Sequence, residues 1–158
     1  MREAVVLVHG LWSVAGVDLL RLRNRLNSAG YECHSFNYHV WGKPPADIAV
    51  KLHHFIKKID ASVVHIVAHS FGGIVTLHLF DQFPFTIRHG RVVLLASPVN
   101  GSAVGRRLSA LPMTRWMLGQ SYVNGLLGDV PAWSSWHDIG VIAGNIPIGL
   151  GLIAGGPE

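Results

Sequence analysis

Residues 63–68 read VVHIVA, a run without the in–out alternation of a half-solvated strand and too short for a helix of its own. A strand that is apolar on both sides belongs in the middle of a parallel sheet, where helices lie over both faces and keep it from water. The rest of the chain supplies the alternation such a sheet needs. Residues 4–8 (AVVLV) and 91–96 (RVVLLA) are further β-type runs, and residues 31–36 and 138–143 (DIGVIA) give two more. Between them, residues 18–29 set leucines at 19, 22 and 26 among arginines and stop at Gly30, the pattern of a surface helix. Residues 45–59 start on proline and carry Ile48, Leu52, Phe55, Ile56 and Ile59 at helical spacing. Residues 74–83 are apolar at 74, 75, 77, 79 and 80, too wide a stripe for a surface helix, so this helix is expected to be buried. The expected fold is α/β, a mostly parallel sheet with helices on both faces.

With 158 residues, 49% of them hydrophobic and 14% charged, the chain suits one domain spanning residues 1–158 and excludes a disordered tail. The net charge is +4, but the basic residues are scattered (Arg21, Arg23, Arg25, Lys57, Lys58, Arg106, Arg107), which argues against a nucleic-acid partner. The single cysteine, Cys33, gives neither a disulfide framework nor a thiol metal cluster; it reads as a small buried residue in a reducing, cytoplasmic compartment. The apolar run near the N-terminus is too short for a signal-peptide core. Residues 141–156 are broken by Asn145, Pro147 and five glycines and fall short of the ~20 residues of a spanning helix, so a soluble protein without stable membrane insertion is expected.

The ten histidines form no metal motif. His65 and His69 span a strand and its turn rather than one helix face, and His53 and His54 read as one buried-edge and one exposed residue. Gly149, Gly151 and Ala154 match a dinucleotide fingerprint by letters, yet they follow Pro147 and open no helix.

The feature that carries chemistry is the passage from the 63–68 strand through Ala68-His69-Ser70-Phe71-Gly72-Gly73 into a helix. A serine at the tip of a sharp strand-to-helix turn projects its Oγ above the sheet edge, and small residues two before and two after it, here Ala68 and Gly72, let strand and helix cross. The turn also puts the Phe71 N–H at a helix start, where a free amide and the helix dipole can hold an oxyanion, so the Phe71 side chain is expected to be secondary. Serine and glycine also make ordinary turns. The strand and helix on either side, and the motifs below, separate this one from those.

In these residues the sequence resembles the α/β-hydrolase superfamily, in particular small bacterial lipases and esterases, where the elbow G-x-S-x-G is sometimes A-x-S-x-G as here. The strand 5–8 ends in His9-Gly10-Leu11-Trp12, similar to the HG segment after the family's oxyanion-loop strand, and residues 95–102 (LASPVNGS) are similar to the turn that follows the strand after the elbow. The resemblance implies a carboxylic ester hydrolase with Ser70 as nucleophile, the Leu11 and Phe71 amides as oxyanion hole, and His9, Gly10 and His69 in support. It implies no cofactor, and a small ester or lipid-like substrate. Residues 103–137, rich in Trp, Met and Leu, are a possible cap or insertion over the reactive edge.

The same resemblance calls for an acid and then a histidine after the serine. His78 falls in the helix after the elbow, while His89 and His137 precede strands and so belong to the wrong edge of a parallel sheet; the same argument demotes Asp138, which opens a strand, and, less firmly, Asp129. The expectation is a minimal or C-terminally shortened hydrolase, or one with an unusual base such as His39. The alternative is a non-catalytic hydrolase-fold protein. Apolar surface left uncovered in a shortened fold makes a homodimer possible.

Overall fold

The computed structural model describes residues 2–11, 13, 16–39, 43–87, 89–99 and 129–143. Residues 103–128 of the proposed 103–137 cap, residues 100–102 of the third motif, Trp12 and the stretch 144–158 lie outside the described residues.

In chain order the elements are β1 (Glu3–Val8), a 3-10 turn (Val17–Leu19), α1 (Leu20–Ser28), β2 (Glu32–Phe36), α2 (Pro45–Ile56), β3 (Val63–His69), α3 (Phe71–Gln82), β4 (Val92–Leu95) and β5 (Ile139–Ile142). The strands form one parallel sheet in the order β2-β1-β3-β4-β5. The chain moves one way from β1 to β2 and the other way from β2 across to β3, so the order reverses between β1 and β3. In open α/β sheets that switch point opens a crevice at the carboxyl ends of the two strands, the usual place for a ligand. The register brings those ends level, with Val8 beside Ala68 and His69 beside Leu95.

The two faces are packed differently. On one, Val6, Val8, Val64, Ile66, Ala68, Val92 and Leu94 meet Ile48, Leu52 and Ile56 of α2 and Phe71, Ile74, Val75, Leu79 and Phe80 of α3 in one continuous core. Each large side chain removed from water there contributes roughly 1.5–3 kcal/mol, which makes this face the main source of stability. On the other, Val5, Leu7 and Leu19 form a smaller cluster edged by the half-buried Leu22 and Leu26 of α1. The fold class expected from the sequence is the one observed.

Several details depart from expectation. The 63–68 strand is in the middle of the sheet, but only its Val64, Ile66 and Ala68 side is buried; Val63, His65, Val67 and His69 are half-exposed. The strand buried on both sides is β1, from Ala4 to Val8, because α1 lies over β1. The buried helix begins at Phe71 rather than at 74, and all of its residues from Phe71 to Phe80 are buried. Cys33 is half-buried, on the edge strand β2, and burial pushes its thiol pKa up against the opposing charge of Arg23. His53 and His54 are half-buried and exposed, as expected. Among the described residues no helix is long and apolar enough to cross a membrane.

Candidate active site

Ser70 is the hinge between β3 and α3, with φ 52° and ψ −122°. A non-glycine residue in this region costs on the order of 1–3 kcal/mol, so its surroundings must impose the conformation. They do so from both sides. The Ser70 N–H donates to Leu95 O at 2.9 Å, tying the turn to the end of β4, and the Gly73 N–H donates back to Ser70 O at 3.0 Å. A Cβ on Gly72 would lie 2.5 Å from Val8 O and 2.7 Å from His9 O. Gly72 therefore lets α3 press against the end of β1, a different close approach from the β3–α3 crossing expected from the sequence. A Cβ on Gly73 would collide with the Ser97 side chain, which gives the third motif a concrete role under the elbow.

The result is a half-buried Ser70 at the carboxyl edge with Phe71 as first residue of α3. Its N–H is one of the helix-start amides without an intrahelical partner. The Phe71 ring is not secondary: it is completely buried and anchors the start of α3 in the main core.

The end of β1 lies against this turn. A Cβ on Gly10 would meet Ser70 Cβ at 3.2 Å and His69 Nδ1 at 3.3 Å, so a glycine is what fits between them. His9 is 3% exposed and fully engaged. Its Nδ1 is 2.8 Å from Gly10 O, which can only accept, so Nδ1 carries the proton; Nε2 then accepts from the Tyr38 N–H at 3.4 Å. The Tyr38 ring stacks on the imidazole at 4.2 Å and its hydroxyl donates to His9 O at 2.6 Å. Burial first, and then the charge of Asp18, push the Tyr38 phenol pKa upward, which keeps that donor protonated. With both ring nitrogens engaged, His9 is bonded to its own loop and to Tyr38.

His69 has a partner that the sequence did not point to. Its Nδ1 lies 2.6 Å from Asp18 Oδ2, and the same carboxylate accepts from the Gly10 N–H at 3.2 Å and from the Ser13 hydroxyl. Burial raises the pKa of Asp18, but the bonds from Ser13, His69 and Gly10 and the charge of His69 outweigh it and hold the carboxyl below its ordinary value. Asp18 is 51 residues from His69 and Tyr38 is 29 from His9, and no spacing in the sequence connects these pairs. Leu11, next to Gly10, is half-buried against the main core.

The other candidates stand apart. His78 is buried in α3, eight residues beyond Ser70 and so about 12 Å along the axis at 1.5 Å per residue. His89 O accepts from Val64 N–H at the start of β3, and Asp138 O accepts from Val92 N–H at the start of β4, so His89, His137 and Asp138 lie at the amino edge. His39 is exposed beyond the end of β2, and Asp129 is exposed. Among the described residues no group of three His, Cys, Asp or Glu side chains is placed to hold a metal ion.

No curated protein matches the sequence. Among solved structures the chain is similar to the Bacillus licheniformis lipase BlEst2 in its mature form, with TM-score 0.65 and 19% identity over 81% of this chain and 56% of that one. It is also similar to an extracellular alpha/beta-hydrolase from a Paenibacillus species, with TM-score 0.53 and 25% identity over 68% of this chain and 46% of that one. The chain thus spans about half the length of the structures it matches, 56% and 46%. A family model described as the alpha/beta hydrolase family matches residues 5–148, and the chain belongs to the alpha/beta hydrolase family.

Proposed function

We propose that the chain acts as a serine hydrolase on carboxylic esters, through an acyl intermediate on Ser70. The observation that carries this reading is the φ 52° conformation of Ser70 between β3 and α3, beside Gly10 and one residue before the start-of-helix amide of Phe71. In the reaction Ser70 Oγ adds to the ester carbonyl carbon as its proton passes to a base, and the carbonyl oxygen becomes an oxyanion held by the Leu11 and Phe71 N–H groups. Collapse expels the alcohol and leaves an acyl-serine, which water then hydrolyses to the acid. Esters or lipid-like molecules are the substrate class, which accords with the lipase among the similar structures.

The position of the histidines supports a second reading, a hydrolase-fold protein without catalysis. His89 and His137 lie a strand length from Ser70, about 20 Å for β3 at ~3.3 Å per residue, against the ~3 Å of a proton transfer. Turnover of p-nitrophenyl esters by the chain and by Ser70→Ala distinguishes the two. The first reading expects turnover that Ser70→Ala abolishes without a change in melting temperature. Equal rates in both proteins contradict it.

A further inference from the structure

We infer that Asp18 is a positioning residue that locks the oxyanion loop against the nucleophile turn, an inference that rests on the Ser70 reading above. Its carboxylate gathers donors from two segments, Gly10 N–H and Ser13 Oγ from the loop after β1 and His69 Nδ1 from the end of β3. The Asp18 side chain is 22% exposed and that of His69 35%, so the pair is partly withdrawn from water, unlike the Arg2–Asp60 pair at 65% and 88%.

The consequence follows from peptide planarity. Gly10 N–H belongs to the His9–Gly10 peptide, which Asp18 holds. Gly10 O belongs to the next peptide, which the His9 Nδ1–H holds at 2.8 Å. In a planar trans peptide the N–H points opposite to the C=O. Fixing Gly10 O on His9 therefore fixes the direction of the Leu11 N–H, the second oxyanion donor in the proposed reaction. With one carboxylate and one imidazole, two successive peptide planes are held, and His69 Nδ1 ties them to the residue before Ser70. An oxyanion donor acts through its preset direction, so loosening this clasp raises the barrier to reaction more than it weakens substrate binding.

The test uses the chain itself with Asp18→Ala, Asp18→Asn, which keeps the shape and one acceptor, and Ser13→Ala, which removes one donor. Amide hydrogen exchange is read at Gly10, with Val5 to Val8 of β1 as internal reference, beside kcat and KM for a p-nitrophenyl ester. The expected result is exchange at least tenfold faster at Gly10 in Asp18→Ala, with the β1 reference unchanged and a smaller acceleration in Ser13→Ala. The accompanying kcat falls at least tenfold while KM moves less than twofold, with Asp18→Asn between the two proteins. Unchanged exchange at Gly10 overturns the clasp, and faster exchange with unaltered kcat overturns its positioning role. Turnover that survives Ser70→Ala overturns instead the reading on which the inference rests, and the exchange result still decides whether the clasp exists.

Discussion

The two edges of the sheet are made from the same residue types and are built for different purposes. At the carboxyl edge an imidazole and a carboxylate, His69 and Asp18, lie 2.6 Å apart beside a strained serine. At the amino edge His137 is buried between Phe80 and Trp136, and Asp138 makes an exposed, long ion pair with Arg91 at 3.8 Å. Among the described residues, both non-glycine residues with positive φ, Ser70 and Ala96, are at the carboxyl edge. In a parallel sheet every strand ends on the same side, so backbone strain, helix-start amides and converging loops collect there, while the amino edge receives only strand starts and helix ends. An acid or histidine is thus read by its edge before its identity.

The sharpest way to break the contrast is to remove the space that the elbow needs. Gly72→Val places branched carbon where Val8 O and His9 O already stand, 2.5 and 2.7 Å from the first added atom, and should destabilise by roughly 3 kcal/mol or more or prevent folding. Gly140→Ala in β5 meets nothing within 4 Å among the described residues, and its melting temperature should stay near that of the parent chain. A valine variant as stable as the parent would show that the carboxyl edge is not tightly built. Tyr38→Phe is the next test, since it leaves His9 O without its 2.6 Å donor in a buried place; about 1–2 kcal/mol in chemical denaturation is expected.

Acid titration separates the edges by pH window. The Asp18 pKa is lowered on folding, so the stability it contributes is complete above the ordinary carboxylate value of ~3.9 and is lost as pH falls through the folded value. The His137 pKa is also lowered, by burial first and by the charge of His89 in addition, against a raising bond from Ile87. The unfolded chain then takes up the His137 proton more readily, and stability declines as pH falls below the ordinary histidine value of ~6.5. Melting curves of His137→Gln and the parent chain should converge on acidification from pH 7 toward 5, whereas the gap between Asp18→Asn and the parent should hold over that range and narrow only below about pH 4. The smallest effect is at Asp138→Asn, where an exposed pair 3.8 Å long should contribute within ~0.5 kcal/mol.

The same contrast explains what could be read from the sequence. Elements whose pattern is local were legible: VVHIVA as a middle strand, the leucine stripe of α1 and the proline start of α2. The elbow was legible because strand, serine and helix are contiguous. Its helix start was misplaced since Gly72 and Gly73 read as loop, whereas they are in the first turn of α3 to clear Val8, His9 and Ser97. Half-exposure of Val67 and His69 depends on how far α1 reaches across the sheet, which no local pattern encodes. Asp18 and Tyr38 escaped notice for a related reason. Each acts on a residue from another element, and only the level carboxyl ends of β1 and β3 bring them together.

The central claim is that Ser70 is the reactive residue of this edge, and labelling with a fluorophosphonate followed by peptide mapping tests it most directly. The account predicts one adduct per chain, located on Ser70, absent from Ser70→Ala and unaffected by His137→Gln at the opposite edge. An adduct on any other residue, or a parent chain that gains no mass after prolonged exposure to the probe, would contradict it.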